Sequence, residues 1–175
     1  MLGRAVVQEF RSRDHEVAAL GRAELDVTRP DEVRLRLEEH RPEVVIQCAA
    51  YTAVDAAESE PEEAVRVNGM GAEIVVEACQ RTGAAFVYPS TDYVFSGESQ
   101  RPWNPEDRPA PLNAYGRSKM AGEQAALSSA GSMVVRTSWL YGAGGANFVD
   151  AILNRARERG ELEVVDDQVG IPTWT

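Results

Sequence analysis

Tyr115 and Lys119 stand four residues apart in the run Tyr115-Gly116-Arg117-Ser118-Lys119, and on a helix that spacing projects both side chains from one face. An ammonium held near a phenol favours the phenolate, so a Tyr with an ordinary pKa of about 10 is lowered by such a neighbour. The chemistry this suits is reduction of a ketone by hydride, in which an acid must protonate the developing alkoxide. Ser90 and Thr91 lie 25 and 24 residues before Tyr115 and offer hydroxyls to the carbonyl oxygen. A Tyr and a Lys one turn apart are often no more than a solvated pair. Here they follow an apolar run ending in Ser-Thr and a Pro-rich loop, and that context favours the catalytic reading.

The elements that must hold this pair can be read from hydrophobic period and punctuation. Residues 2–13 place Leu2, Val6, Val7 and Phe10 on one helical face, as a helix packed on a sheet requires. Residues 17–20 read as a short buried strand, followed by turns at Gly21-Arg22 and Asp26-Val27-Thr28. A weak helix spans 31–40, with Val33, Leu35 and Leu37 among charges, before the strand 44–46. Residues 58–81 read as one long helix stopped by Gly83, and 85–88 as the next strand. Residues 97–113 form a loop long enough to bind something. A helix over 114–126, a strand over 133–135, a helix over 148–159 and a strand over 162–165 complete the chain.

Short, continuously apolar strands alternating with helices indicate an α/β fold with a doubly wound parallel sheet of Rossmann-like type. In such sheets ligands bind beyond the carboxyl ends of the strands. Ala49-Ala50-Tyr51, Ser90-Thr91-Asp92 and Thr137-Ser138-Trp139 are therefore expected to face one crevice.

With 175 residues and 43% hydrophobic content the chain suits one domain. Its 28 acidic and 18 basic residues give a net charge of -10, which disfavours nucleic acid and anionic membranes as partners. Arg155, Arg157 and Arg159 alternate with Glu158 and read as a solvated helix face. Cys48 and Cys79 lie in apolar runs without metal-ligand spacing, so buried reduced thiols, no metal and a cytoplasmic location are expected. The N-terminal stretch carries too many charges for a signal peptide, and no apolar run approaches the roughly 20 residues of a membrane span.

Six segments carry a family resemblance: 49–55 (AYTAVD after Ala49), Val67-Asn68, 90–95 (STDYVF), Tyr115 to Lys119 (YGRSK), 136–142 (RTSWLYG) and 167–173 (DQVGIPT). In order and spacing they resemble dTDP-4-dehydrorhamnose reductase, a branch of the extended short-chain dehydrogenases and reductases. The resemblance implies reduction of dTDP-4-dehydrorhamnose to dTDP-L-rhamnose with NADPH, NADH staying open as the alternative. Tyr115 would be the general acid, Lys119 would hold the nicotinamide ribose and lower the Tyr pKa, and Thr91 would bind the 4-keto oxygen. Asp92 and Tyr93 would line the sugar pocket, with Trp139 either packing on the sugar or serving the core. Ala49, Ala50 and Tyr51 would lie along the nicotinamide, and Asp26 and Val27 near adenine, although Asp26 also reads as an ordinary turn residue. Arg22 would meet the 2′-phosphate. Asn68, an amide inside an apolar helix, would support the active-site backbone or else face solvent.

The same resemblance places Gly3 at the end of a glycine-rich phosphate turn whose strand would precede Met1. Residues 1–175 are then a partial NAD(P)-binding domain, with the substrate region starting near 140 and most of it beyond Thr175. Losing that strand predicts little activity for the chain as written. Pro89 and Ser96 depart from the family pattern, Pro89 by removing a backbone donor. Two other readings stay open: a non-catalytic subunit similar to the methionine adenosyltransferase β subunit, and a reductase of another nucleotide-linked keto sugar. A homodimer stays open for the full-length protein.

Overall fold

Prolines and glycines set the helix boundaries. In the computed structural model, which describes residues 1–175, the helices are α1 (Leu2–Ser12), α2 (Pro30–His40), α3 (Val54–Ser59), α4 (Pro61–Val65), α5 (Gly71–Thr82), α6 (Ala114–Leu127) and α7 (Phe148–Arg159). The strands are β1 (Val44–Ile46), β2 (Ala85–Thr91), β3 (Ser132–Thr137), β4 (Leu140–Tyr141) and β5 (Thr173–Trp174). Pro30 and Pro61 sit in the first turns of α2 and α4, where a missing N–H costs nothing. Gly83 and Gly160 end α5 and α7 in the left-handed conformation. None of these helices is long and apolar enough to cross a membrane.

The chain divides into two compact units, residues 20–136 and residues 1–19 with 137–175. In the first, a three-stranded sheet runs β1-β2-β3, with β1 parallel to β2 in the register Val44↔Ala85 to Ile46↔Val87. Phe86 and Tyr88, two apart, point to one face and pack with Val33 and Leu37 of α2, Val75, Val76 and Cys79 of α5 and Ala126 of α6. Strand, helix and parallel strand alternate as a Rossmann-like α/β fold requires. On α2 the i,i+4 pair Val33 and Leu37 is buried while Leu35 is 57% exposed, since two residues along a helix is nearly the opposite face.

The expected single helix over 58–81 is three. Pro61 lacks a donor and drives the residue before it out of the helical region, and Glu60 accordingly has φ -128 and ψ 49. Arg66–Met70 then forms a π-helical turn between α4 and α5. It lies hard against α6. A methyl added at Gly69 would stand 3.1 Å from the Ala121 Cβ, and one at Gly122 would stand 2.2 Å from the Tyr88 hydroxyl and 2.3 Å from the Asn68 carbonyl oxygen.

In the second unit β4 pairs in parallel with β5, and the Tyr141 and Trp174 rings meet edge to face at 5.2 Å. The Asn147 side chain caps α7 by accepting from the Asp150 amide at 3.0 Å. Neither α1 nor α7 has a buried residue, so the amphipathic face of α1 does not have the full sheet cover its pattern implies. Two expected strands are absent. Residues 17–20 are apolar and 162–165 are apolar except for Glu163, but no neighbouring strand accepts their backbone groups, and an unpaired run has no ladder to hold it extended.

Gly122→Ala is expected to lower the unfolding free energy by about 2–3 kcal/mol through overpacking, as urea denaturation would read. An unchanged midpoint would mean that α6 and the π turn can separate freely.

Candidate active site

The site grows from the end of β2. Thr91 closes the strand and caps the 3-10 turn Asp92–Val94, its Oγ1 accepting from the Tyr93 amide at 3.2 Å and donating to Asp92 Oδ1 at 3.1 Å. Asn113 caps α6, its Oδ1 accepting from the Gly116 amide at 2.7 Å. Gly116 lets this first turn lie on the 3-10 turn, because a Cβ there would meet the Tyr93 carbonyl oxygen at 2.2 Å. The Tyr93 and Tyr115 rings then meet edge to face at 5.7 Å. Tyr115 and Thr91 share a side-chain hydrogen bond. Thr91, Asp92, Tyr93 and Tyr115 are thereby brought together.

Lys119 lies one turn further along α6 and is 3% exposed. Its Nζ donates to the Pro89 carbonyl oxygen at 2.8 Å and sits 4.0 Å from the centre of the Tyr88 ring. Pro89, which as a donor-less residue looked like a defect in the strand, supplies the acceptor that fixes the amine. Burial pushes the Lys119 amine down to about 7, against the attraction of Glu123. Burial likewise pushes the Tyr115 phenol up to about 12; the Thr91 hydrogen bond opposes that rise and the Asp92 charge adds to it. The expectation that Lys119 lowers the Tyr115 pKa is therefore corrected. Spacing puts the two on one face, but the amine is turned to Pro89 and both groups lose water, which favours their neutral forms. Asp92 is also raised by burial.

Asn68 does not face solvent. At 1% exposure in the π turn, its Nδ2 donates to the Tyr51 carbonyl at 3.0 Å and to Ser118 Oγ at 2.9 Å, while its Oδ1 accepts from the Tyr51 amide at 2.9 Å. Its own carbonyl accepts from the Tyr88 hydroxyl at 2.9 Å. Ser118 in turn donates to the Tyr115 carbonyl at 2.7 Å. One amide thus ties the segment after β1, with exposed Ala49 and half-buried Ala50 and Tyr51, to the helix carrying Tyr115 and Lys119. Outside this knot the Tyr51 hydroxyl donates to Glu60 at 2.7 Å.

Further along the same unit, Asp26 Oδ1 accepts from the Thr28 amide at 2.9 Å and hydroxyl at 2.7 Å, which holds its carboxyl below the usual range. Val27 is buried against Gly71 of α5, so its side chain serves the core. Arg22 is exposed in the turn before them. Gly3 and Trp139 belong to the other unit. Gly3 lies in the first turn of α1, and Trp139, at φ 46, has its indole so close to Gly170 that a Cβ there would approach Cε2 to 2.7 Å.

Reading the sequence passed over Glu123 and quoted Arg136 only as the start of the 136–142 segment, with no role for either. Both are partly or wholly buried and joined by two bonds of 2.8 and 2.6 Å. The available signal was a Glu one turn beyond Lys119, on the same helical face.

The family model described as RmlD substrate binding domain matches residues 1–175. A dTDP-4-dehydrorhamnose reductase of Streptomyces griseus is 47% identical over all of this chain and 58% of its own. A probable dTDP-4,6-dihydroxy-2-methyloxan-3-one 4-ketoreductase of Streptomyces antibioticus is 45% identical over all of this chain and 60% of its own. Among solved structures, a dTDP-4-dehydrorhamnose reductase from Bacillus anthracis in complex with NADP superposes with a TM-score of 0.95 at 42% identity, covering 99% of this chain and 62% of that one. The chain thus spans about 60% of the length of such relatives.

Two outcomes follow from the geometry. Asn68→Ala leaves the Tyr51 backbone and Ser118 without their buried partner and is expected to destabilise the protein by about 2–3 kcal/mol in urea; a loss below about 0.5 kcal/mol would show that the knot is dispensable. Lys119 binds its proton less tightly folded than unfolded, so the folded state is penalised below about pH 7, and relief grows as pH rises toward the unfolded value of about 10.4. The stability of the wild type relative to Lys119→Met should therefore rise by on the order of 2 kcal/mol between pH 7 and 9. A flat difference would mean an amine with an ordinary pKa.

Proposed function

The chain belongs to the RmlD substrate binding domain family, and on that premise we propose that it takes part in reducing the 4-keto group of a dTDP-linked 6-deoxy sugar, dTDP-4-dehydrorhamnose first, with NADPH. The observation that carries this reading is the meeting of Thr91, Tyr115 and Lys119 at the carboxyl end of β2. That is where a parallel sheet opens toward its ligand.

NADPH, when bound, supplies the hydride. The residues present suit its nicotinamide ribose: Lys119 has donors beyond the one given to Pro89, and Asn68 holds the segment that would run beside the ring. Arg22 offers an exposed cation suited to a 2′-phosphate. At the substrate, the Tyr115 hydroxyl is the donor for the 4-keto oxygen, joined by Thr91 Oγ1 once its proton turns from Asp92 to the substrate. A Tyr115 pKa pushed up to about 12 keeps the phenol protonated at neutral pH, so the acid is loaded before the reaction. As negative charge develops on the oxygen, Tyr115 passes its proton across and Thr91 remains as the hydrogen-bond donor. Asp92 and Tyr93 line the same corner and suit the sugar, while Ser118 and Asn68 hold the backbone from which Tyr115 projects.

The nearly equal identities to a dehydrorhamnose reductase and to a 4-ketoreductase of a different dTDP sugar, 47% and 45%, favour a second reading within the same chemistry. The keto sugar then differs while the proton donor stays the same.

NADPH oxidation with dTDP-4-dehydrorhamnose, measured on the chain extended by its in-frame flanking sequence, tests both. Tyr115→Phe should lower the rate at least about 100-fold while leaving the circular dichroism unchanged. Turnover that survives in Tyr115→Phe would remove Tyr115 as the acid. NADPH binding without turnover of any dTDP-4-keto-6-deoxy sugar would defeat the enzyme reading and leave a non-catalytic nucleotide-binding subunit.

A further inference from the structure

Glu123 sits one turn beyond Lys119 on the buried side of α6, yet its carboxylate is held by Arg136 of β3 through Nε at 2.8 Å and Nη2 at 2.6 Å. The remaining face and edge of that guanidinium are also occupied. Nη1 donates to the Pro105 carbonyl at 3.0 Å, and the group lies 4.9 Å from the centre of the Phe95 ring. Phe95 stacks in parallel on Trp103 at 4.4 Å. A single side chain therefore joins the helix that carries Tyr115 and Lys119, the strand β3 and the loop over 97–113. Only the planar fork of an arginine can make the paired bonds and the ring contact together.

We propose that Arg136 is a positioning residue which, acting through Glu123, ties the placement of the 97–113 loop to the electric field at Lys119. The groups facing the amine are the Cys48 thiol after β1, the Tyr88 ring of β2 and Glu123, while Tyr115 on the same helix faces Tyr88. Burial pushes Cys48, Tyr88 and Tyr115 up and so keeps them neutral. Asp92, from the 3-10 turn, faces Tyr115. The carboxylate of Glu123 is thus the nearby charge on Lys119's own helix face, where it favours the ammonium, and Arg136 is its ion-pair partner. When the loop is seated, Pro105 and Phe95 hold the guanidinium on Glu123, where it offsets part of the carboxylate's pull on the amine. Were the loop to lift, the pair would loosen, more of the carboxylate field would reach the amine and the ammonium would be favoured further. The inference rests on Lys119 being a working residue of the proposed reductase.

Lys119 is the chain's single lysine, so selective 13C labelling of lysine gives one Cε signal whose titration reads this amine alone. Arg136→Met should raise the amine's proton affinity at least about threefold, as an uncancelled charge a helical turn away requires. Glu123→Gln should lower it by a similar factor, and the double variant should return near the wild type because both charges are gone. The Trp103 indole N–H signal should shift in both variants lacking Arg136. Arg136→Lys, which keeps the charge but loses the fork and adds a second lysine signal assigned by comparison with Arg136→Lys combined with Lys119→Met, should displace Trp103 while leaving the Lys119 titration within about twofold of wild type, and it serves if the methionine variant does not fold. Arg136→Met and Glu123→Gln shifting the titration in the same direction, or leaving it unmoved, would overturn the proposal, as would an unmoved Trp103 signal in the arginine variants. A purely structural clamp would move Trp103 without opposed shifts at Lys119. The titration needs no turnover, so its failure is distinct from failure of the reductase reading.

Discussion

The arrangement in residues 20–136 depends on one buried amide. Asn68 has no water to fall back on, so each of its polar atoms must find a protein partner, and together the side-chain atoms do so on two segments, Tyr51 after β1 and Ser118 of α6. The carboxamide closes a two-bond clasp on the Tyr51 backbone and reaches Ser118 between the two working residues of α6. The π turn is what makes this reachable. One extra residue in the turn shifts the following side chains around the helix axis, and such bulges recur at functional sites. The turn also exposes the Asn68 carbonyl to the Tyr88 hydroxyl. Glycines at 69 and 122 then let α6 approach to a distance that any Cβ would forbid.

Electrostatics in the site is governed by burial more than by pairing. Tyr115 and Lys119 each lose water, and the shifts to about 12 and about 7 move the two groups toward neutrality in opposite directions. A simple picture of a cation lowering its neighbour's pKa would need the amine to point at the phenol. Instead the amine is committed to the Pro89 carbonyl and the Tyr88 ring. This leaves a donor that is protonated at rest and an amine poised near neutral pH, which is where an acid catalyst and its electrostatic support are most responsive to what binds. The Glu123–Arg136 pair sits behind them, buried and doubly bonded, and a lone carboxylate left there would be strongly destabilising.

The second unit has a different character. Residues 1–19 and 137–175 hold two helices without a buried residue and a two-stranded ladder of two residues per strand. Apolar residues such as Phe148 and Val169 are 65% and 98% exposed. The local signals in this unit are sound, with an Asn cap on α7 and a glycine stop, and they produce helices even where packing is thin.

Much of this was legible in the residues themselves. The β1 and α7 bounds and, within two residues, those of α2 and α6 follow from apolar period and from Pro, Asn and Gly punctuation. Tyr115, Lys119 and Thr91 stand out by type and spacing. What spacing could not reveal was where side chains end. Two largely apolar runs, 17–20 and 162–165, look like strands, but a strand exists only if a neighbour accepts its backbone groups. The long helix over 58–81 hid a break at Pro61 and the π turn, since apolar period persists through both. The direction of the Tyr115 shift, the Asn68 knot and the Glu123–Arg136 pair arise between segments from 13 to 50 residues apart. Sequence alone determined the helix ends and the candidate acid, because those depend on backbone chemistry within a few residues. Tertiary structure decided the charge state and the partners of that acid, because desolvation and buried hydrogen bonds exist only once distant segments exclude water together.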